Sequence, residues 1–221
     1  MQRLPKSIIL LLLSISASSF SLFARVDIDT AYARVANERA AKIVSSLHLE
    51  DAGKSTDAQT AIADQYMALN DIQFRRDSAV KEAKATIEDK GAQELRIKTI
   101  TSEAAEQTEQ QHKAYITRLT ALLTAEQVDK VKNGMTYNVL PNTYNAYLDM
   151  LPQLTEDQKK QIMIWLTEAR ERAMDAETSK KKHEVFGKYK GRINNYLSAA
   201  GIDMKKEGEA WQKRIKARAE Q

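Results

Sequence analysis

No proline interrupts the sequence between Arg25 and Leu140. Proline breaks helices more forcibly than any other residue, because it lacks an amide hydrogen and its ring collides with the preceding turn. A stretch this long without it is free to run in long helices. Glycine is also scarce, at 7 in 221 residues, and the only prolines are Pro5, Pro141 and Pro152. Short β-branched runs of alternating polarity, the mark of strands, are missing. The expected fold class is therefore all-α: a multi-helix bundle with a long antiparallel helical hairpin.

Apolar spacing divides the chain. Tyr32, Val35, Ile43, Val44 and Leu47 recur at helical intervals and predict a first helix over 28–48. A break over 51–56 leads to a long helix over 56–90, striped by Ile62, Tyr66, Leu69, Ile72, Val80 and Ile87. Gly91 is the expected left-handed stop, and a second long helix follows over 92–122. A single continuous rod is the alternative to a hairpin. Residues 102–111 have little apolar surface to bury, which predicts thin packing or a face turned to a partner. Beyond 123 the sequence predicts a short helix stopped at Asn133-Gly134, a compact connector over 135–152, and helices over 155–176, 178–200 and 204–219. The mature chain, 25–221, is expected to form a single helical domain. Residues 25–122 supply its first helix and hairpin, and 123–221 a compact half.

The first 24 residues read as an export signal. Arg3 and Lys6 precede an apolar run from Ile8 to Leu13, then small residues and a cleavage point after Ala24. The apolar segment is short for a membrane span of about 20 residues. The expected location is periplasmic or extracellular. The chain has no cysteine, which excludes disulfides, thiolate metal sites and a cysteine nucleophile. Charge is uneven: residues 178–221 carry 12 basic and 5 acidic side chains, whereas 25–177 carry 20 and 25. A basic C-terminal surface suits a polyanion such as an acidic polysaccharide or an anionic membrane, and the expected partners are an acidic polysaccharide or an envelope protein. No nucleic-acid motif accompanies it.

Leu-Thr-x-x-Gln occurs twice, at 123–127 and 154–158. Thr124 and Thr155 are placed to cap helix N-termini, with Gln127 and Gln158 reaching back to them. The motif resembles one repeated in the Spy/CpxP group of exported helical stress proteins, some of which are chaperones. A resemblance to the exported Bacteroidetes family called domain of unknown function 3826 covers nearly the whole mature chain. It rests on Asn37-Glu38-Arg39-Ala40, Asp64-Gln65-Tyr66, the block Met135 to Pro141 and the block Phe186 to Ser198. It implies a polysaccharide-degrading setting, and no established activity or catalytic residue.

Within the last block, Lys188, Arg192 and Asn195 fall on one helical face, with Tyr189, Ile193 and Tyr196 beside it. Cations suit a carboxylate, an amide suits hydroxyls, and tyrosine offers a flat apolar surface with a polar tip. Tyr137, Tyr144, His183, Lys188, Tyr189, Arg192 and Asn195 are therefore the candidate ligand-binding residues, for an acidic sugar. The competing reading is a helix packed by its aromatics with its cations in water. No metal site, cofactor or catalytic residue is expected. The histidines are scattered, and neither a phosphate loop nor a nucleophile elbow is present. A lyase needs only a base and a group that neutralises charge beside a carboxylate. Tyr, Lys, Arg and His183 could supply both.

Overall fold

The computed structural model describes the backbone of residues 18–220 and the side chains of 31–220. The expected leader, 1–24, lies outside the residues whose side chains are described. Eight helices follow in order: α1 (Ser18–Ser45), α2 (Ala52–Thr86), α3 (Lys90–Leu122), α4 (Ala125–Met135), α5 (Val139–Met150), α6 (Glu156–Met174), α7 (Ser179–Ala199) and α8 (Met204–Ala219). Among the described residues there is no strand, and no helix is long and apolar enough to cross a membrane.

The two long helices form an antiparallel hairpin. Gln93 Nε2 donates to the carbonyl of Ile87 at 2.9 Å near the tip. Gln111 Nε2 donates to Gln65 Oε1 at 2.8 Å, and Arg118 pairs with Asp64 at 2.7 Å near the base. The hairpin turns four residues before the expected glycine. Asp89 caps α3 by accepting the Ala92 amide at 2.7 Å, which leaves Gly91 inside the first turn. A carboxylate satisfying free amides starts a helix more decisively than a glycine ends one.

Three further boundaries differ from the sequence reading. The helix α2 begins at Ala52, inside the expected break over 51–56, because the Asp51 side chain accepts the Lys54 amide at 3.0 Å and caps the helix there. Gly134 lies within α4, where an added Cβ would sit 2.9 Å from Ile43 Cγ1, so the glycine lets α4 close on α1. The segment expected to be a connector holds α5. Pro141 stands in its first turn, where a missing amide hydrogen costs nothing.

Both Thr/Gln boxes form. Gln127 N donates to Thr124 Oγ1 at 3.3 Å while Thr124 N donates to Gln127 Oε1 at 3.0 Å. The Thr155–Gln158 box repeats this at 3.2 and 3.0 Å. Leu123 precedes the first box and is buried with Val128 in one cluster, as a hydrophobic staple requires.

Two apolar clusters hold the helices. One joins α1, α2, α3 and α4 through small and branched residues such as Ala36, Ala40, Ile62 and Leu119, and includes Met174 from the end of α6. The other joins α5, α6 and α7 through Leu151, Ile162, Leu166, Phe186, Ile193 and Leu197. Polar groups lock the seam between them. Arg170 is 6% exposed and bonds Asn133 Oδ1 at 3.0 Å and Asp129 Oδ1 at 2.7 Å. Lys132 pairs with Glu171 at 2.8 Å. His112 Nδ1 sits 2.8 Å from Asp175 Oδ2, and its Nε2 3.8 Å from Glu171 Oε2.

Candidate functional site

At this seam the end of α6, the start of α7, the α4–α5 turn and the faces of α1 and α2 enclose a cavity of about 240 Å³. Its walls carry Tyr32, Arg39, Tyr66, Asn70, Tyr137 and Lys182. Each element has a reason to deliver its side chain there. Arg39 comes from the edge of the α1 stripe and lies over the Tyr66 ring, 5.7 Å from the centroid. Tyr137 and Asn138 both have left-handed backbones, with φ of 57° and 55°. Such conformations cost a non-glycine residue roughly 1 kcal/mol or more, and they cluster at functional sites. They turn the chain sharply between α4 and α5 and place Tyr137 on the cavity wall, 48% exposed and stacked on His183 with centroids 5.9 Å apart.

Lys182 lies at the back. Its Nζ donates to the carbonyls of Ala173 and Met174 at 2.9 and 2.7 Å, in the last turn of α6. Burial pulls its pKa from 10.5 down to about 8. Asp175 opposes that fall and Arg39 adds to it. Burial likewise raises Tyr32, and pushes Tyr66 up to about 12. Thr178 caps α7 and, with Ser179, lines the same space, so the positive end of the α7 dipole borders the cavity. Among the described residues the only carboxylate on the wall, Glu177, is bound by Arg76 and Lys181, which hold its pKa below the usual range. Among the described residues no carboxylate pairs with Arg39. The described walls of the cavity therefore present two cations, three phenols and the two amides of Asn70 and Gln73 to any occupant, with no free negative charge.

The residues singled out from the sequence fall into three places. Tyr137, on the cavity wall, stacks on the exposed His183, which does not line the cavity. Tyr189 and Arg192 turn toward α6. Arg192 lies over the Trp165 ring at 4.5 Å and 3.8 Å from Glu168, whose pKa is lowered first by the Tyr189 hydroxyl. Lys188 and Asn195 are exposed on α7, and Tyr144 is half-buried against the second apolar cluster. The seven do not share one cleft. Tyr32, Arg39, Tyr66 and Lys182 were not singled out. Three of the four sequence blocks that carry the family resemblance each contribute one wall residue, Arg39, Tyr66 or Tyr137, and that was the signal available.

A sequence model described as "Protein of unknown function (DUF3826)" matches residues 33–217. The chain belongs to this family. No curated protein matches it. The DUF3826 match covers all the cavity walls except Tyr32, which stands one residue outside it.

Proposed function

We propose that this DUF3826 protein is an exported, non-catalytic binding protein of the cell envelope that takes a carboxylate-bearing sugar in the α1–α7 cavity. One observation carries the reading: Arg39 and Lys182 face a small enclosed space that contains no unpaired acid. Lys182 is buried with its ammonium already held by two α6 carbonyls, whereas the Arg39 side chain is exposed and has no carboxylate partner among the described residues. An incoming carboxylate would meet the Arg39 guanidinium with charge-assisted bonds, while the tyrosine and Asn70 side chains would meet hydroxyls. The export signal and the polysaccharide setting implied by the family resemblance agree with this ligand class.

Calorimetry of the mature protein with galacturonate oligomers tests the reading. Arg39→Gln is expected to weaken binding roughly tenfold or more, the effect of losing a hydrogen bond to a charged group. Affinity is expected to fall with added salt. It should also fall above about pH 8, where Lys182 loses its proton. Binding that Arg39→Gln leaves intact would overturn the proposal.

A second reading has its own observation. An open groove of about 910 Å³ runs between α2, α3 and α6 past Ile72, Val80, Ile97 and Ala104. A holdase-type chaperone would use such a surface. It predicts that the protein suppresses aggregation of an unfolded client, and that Val80→Glu, on the groove wall, reduces the effect. A lyase is the third reading, in which Lys182 takes the proton beside the carboxylate. An unsaturated uronide among the products of incubation would favour it over simple binding.

A further inference from the structure

We propose that a second cleft, between α5, α7 and α8, is a stacking site for a pyranose ring with Trp211 as its platform. The cleft measures about 370 Å³, within the range typical of small-molecule sites, and Asn142, Thr143, Met150, Lys190, Asn194 and Trp211 lie along it. It stands apart from the α1–α7 cavity and shares no wall residue with it. About 18 Å of α7 separates Lys182 from Asn194, at 1.5 Å per residue.

The indole is held in one orientation. Trp211 Nε1 donates to Asp149 Oδ2 at 2.7 Å. Arg218 grips the same carboxylate at 2.9 and 3.1 Å. Arg214 donates to the carbonyls of Asp149 and Met150 at 3.1 and 3.0 Å. No residue of α8 is buried, so these polar contacts, more than an apolar core, fix the helix and with it the ring. A planar ring fixed at a cleft wall has lost its conformational freedom before any ligand arrives, and that lowers the cost of binding.

The rest of the lining matches the two faces of a pyranose. Its apolar C–H face suits the indole and Met150. Its rim of hydroxyls suits amides and an ammonium. Asn142 and Lys190 have no side-chain partner among the described residues. Asn194 accepts the Tyr147 hydroxyl at 2.7 Å through Oδ1, which leaves its amino group to donate. On the same stripe of α7, one turn before Lys190, stands Gly187, where an added Cβ would meet nothing within 4 Å. The helix backbone is therefore bare on the approach from His183. Lys190 is the one cation in the cleft and would favour a ring bearing a carboxylate.

The test uses the mature protein with Trp165→Phe, which leaves Trp211 as the sole tryptophan. It is titrated with galacturonate oligomers and, separately, with neutral galactose oligomers. A saturable change in Trp211 emission is expected. Asn142→Ala should weaken both ligands about fivefold, the scale of one lost hydrogen bond. Lys190→Ala should weaken the acidic one selectively if the ring carries a carboxylate, and both if the ammonium bonds a hydroxyl. An unchanged emission maximum in the free variants shows that α8 remains docked. Arg39→Gln is expected to leave this signal intact, so failure at the α1–α7 cavity and failure here are distinguishable. No saturable change with either ligand, or a change that both Asn142→Ala and Lys190→Ala leave untouched, would overturn the proposal.

Discussion

The outer half of the α2–α3 hairpin and the α5–α7 body are both fully helical, but they are held in different ways. Beyond Ile72 the hairpin buries only Ala83 and Ile100, and none of residues 101–111 is buried. The body buries Phe186, Ile162, Leu166, Ile193 and Leu197 completely. Helix formation alone stabilises little in water, and most helical stability comes from a packed face. The outer arm is therefore helix supported by its own backbone bonds and one thin seam, while the body is helix supported by a core.

The largest expected effect breaks or confirms this contrast directly. Phe186→Ala should cost about 3–5 kcal/mol in urea unfolding, whereas Ile100→Ala should cost about 2 kcal/mol or less because its site can collapse or hydrate. Equal losses would show that the arm is as firmly packed as the body.

Next comes the closest helix approach. Gly134→Ala should cost about 1–3 kcal/mol, since its methyl group would press on Ile43. Adding Ile43→Ala, which removes the γ carbons that the methyl would meet, should give a double-variant loss smaller than the sum of the two single losses in a double-mutant cycle.

The join between arm and body should depend on pH. Asp175, chiefly as a hydrogen-bond acceptor to the ring, raises the His112 pKa above 6.5, against the opposing effect of burial. A raised folded-state pKa contributes stability that is fully present below 6.5 and is lost as pH climbs through the folded value. His112→Gln should therefore destabilise by about 1–2 kcal/mol at pH 5.5 and by much less at pH 9. A wild-type-minus-variant difference that does not change with pH would remove this pair from the join.

The smallest effect has the opposite sign. Gly187→Ala and Gly191→Ala should each stabilise by about 0.5–1 kcal/mol, because both sit in the middle of α7 with open space around them. Thermal unfolding reads this, and a loss of stability would mean that the glycines serve the packing after all.

Much of the fold was legible because it is written locally. Thr124-x-x-Gln127 and Thr155-x-x-Gln158 each close a capping box from residues three apart, so no distant partner is needed. The stretch 102–111 was readable as thinly packed for the same reason: too few apolar side chains are present to bury. The errors fell where two local signals competed. At 89–91 the aspartate prevailed over the glycine, and at 135–152 two prolines masked a short helix whose first turn tolerates one. On α7 the sequence showed that Lys188, Arg192 and Asn195 would face water, and they do. It did not show that Arg192 would be engaged by Trp165 and Glu168.

Sequence alone determined that this DUF3826 chain is helical, where most of its helices begin, and which stripe of each is apolar, because those properties depend on neighbours within a few residues. Only the tertiary structure decided that Tyr32, Arg39, Tyr66, Tyr137 and Lys182 share one cavity, and that Trp211 is locked beside Asn142 and Lys190. These groups lie on helices far apart in the chain. Their meeting depends on how α1 and α4 close over Gly134 and how Arg170, Lys132 and His112 join the two apolar clusters. No local pattern encodes that packing, because it arises from the summed fit of surfaces the chain brings together only on folding.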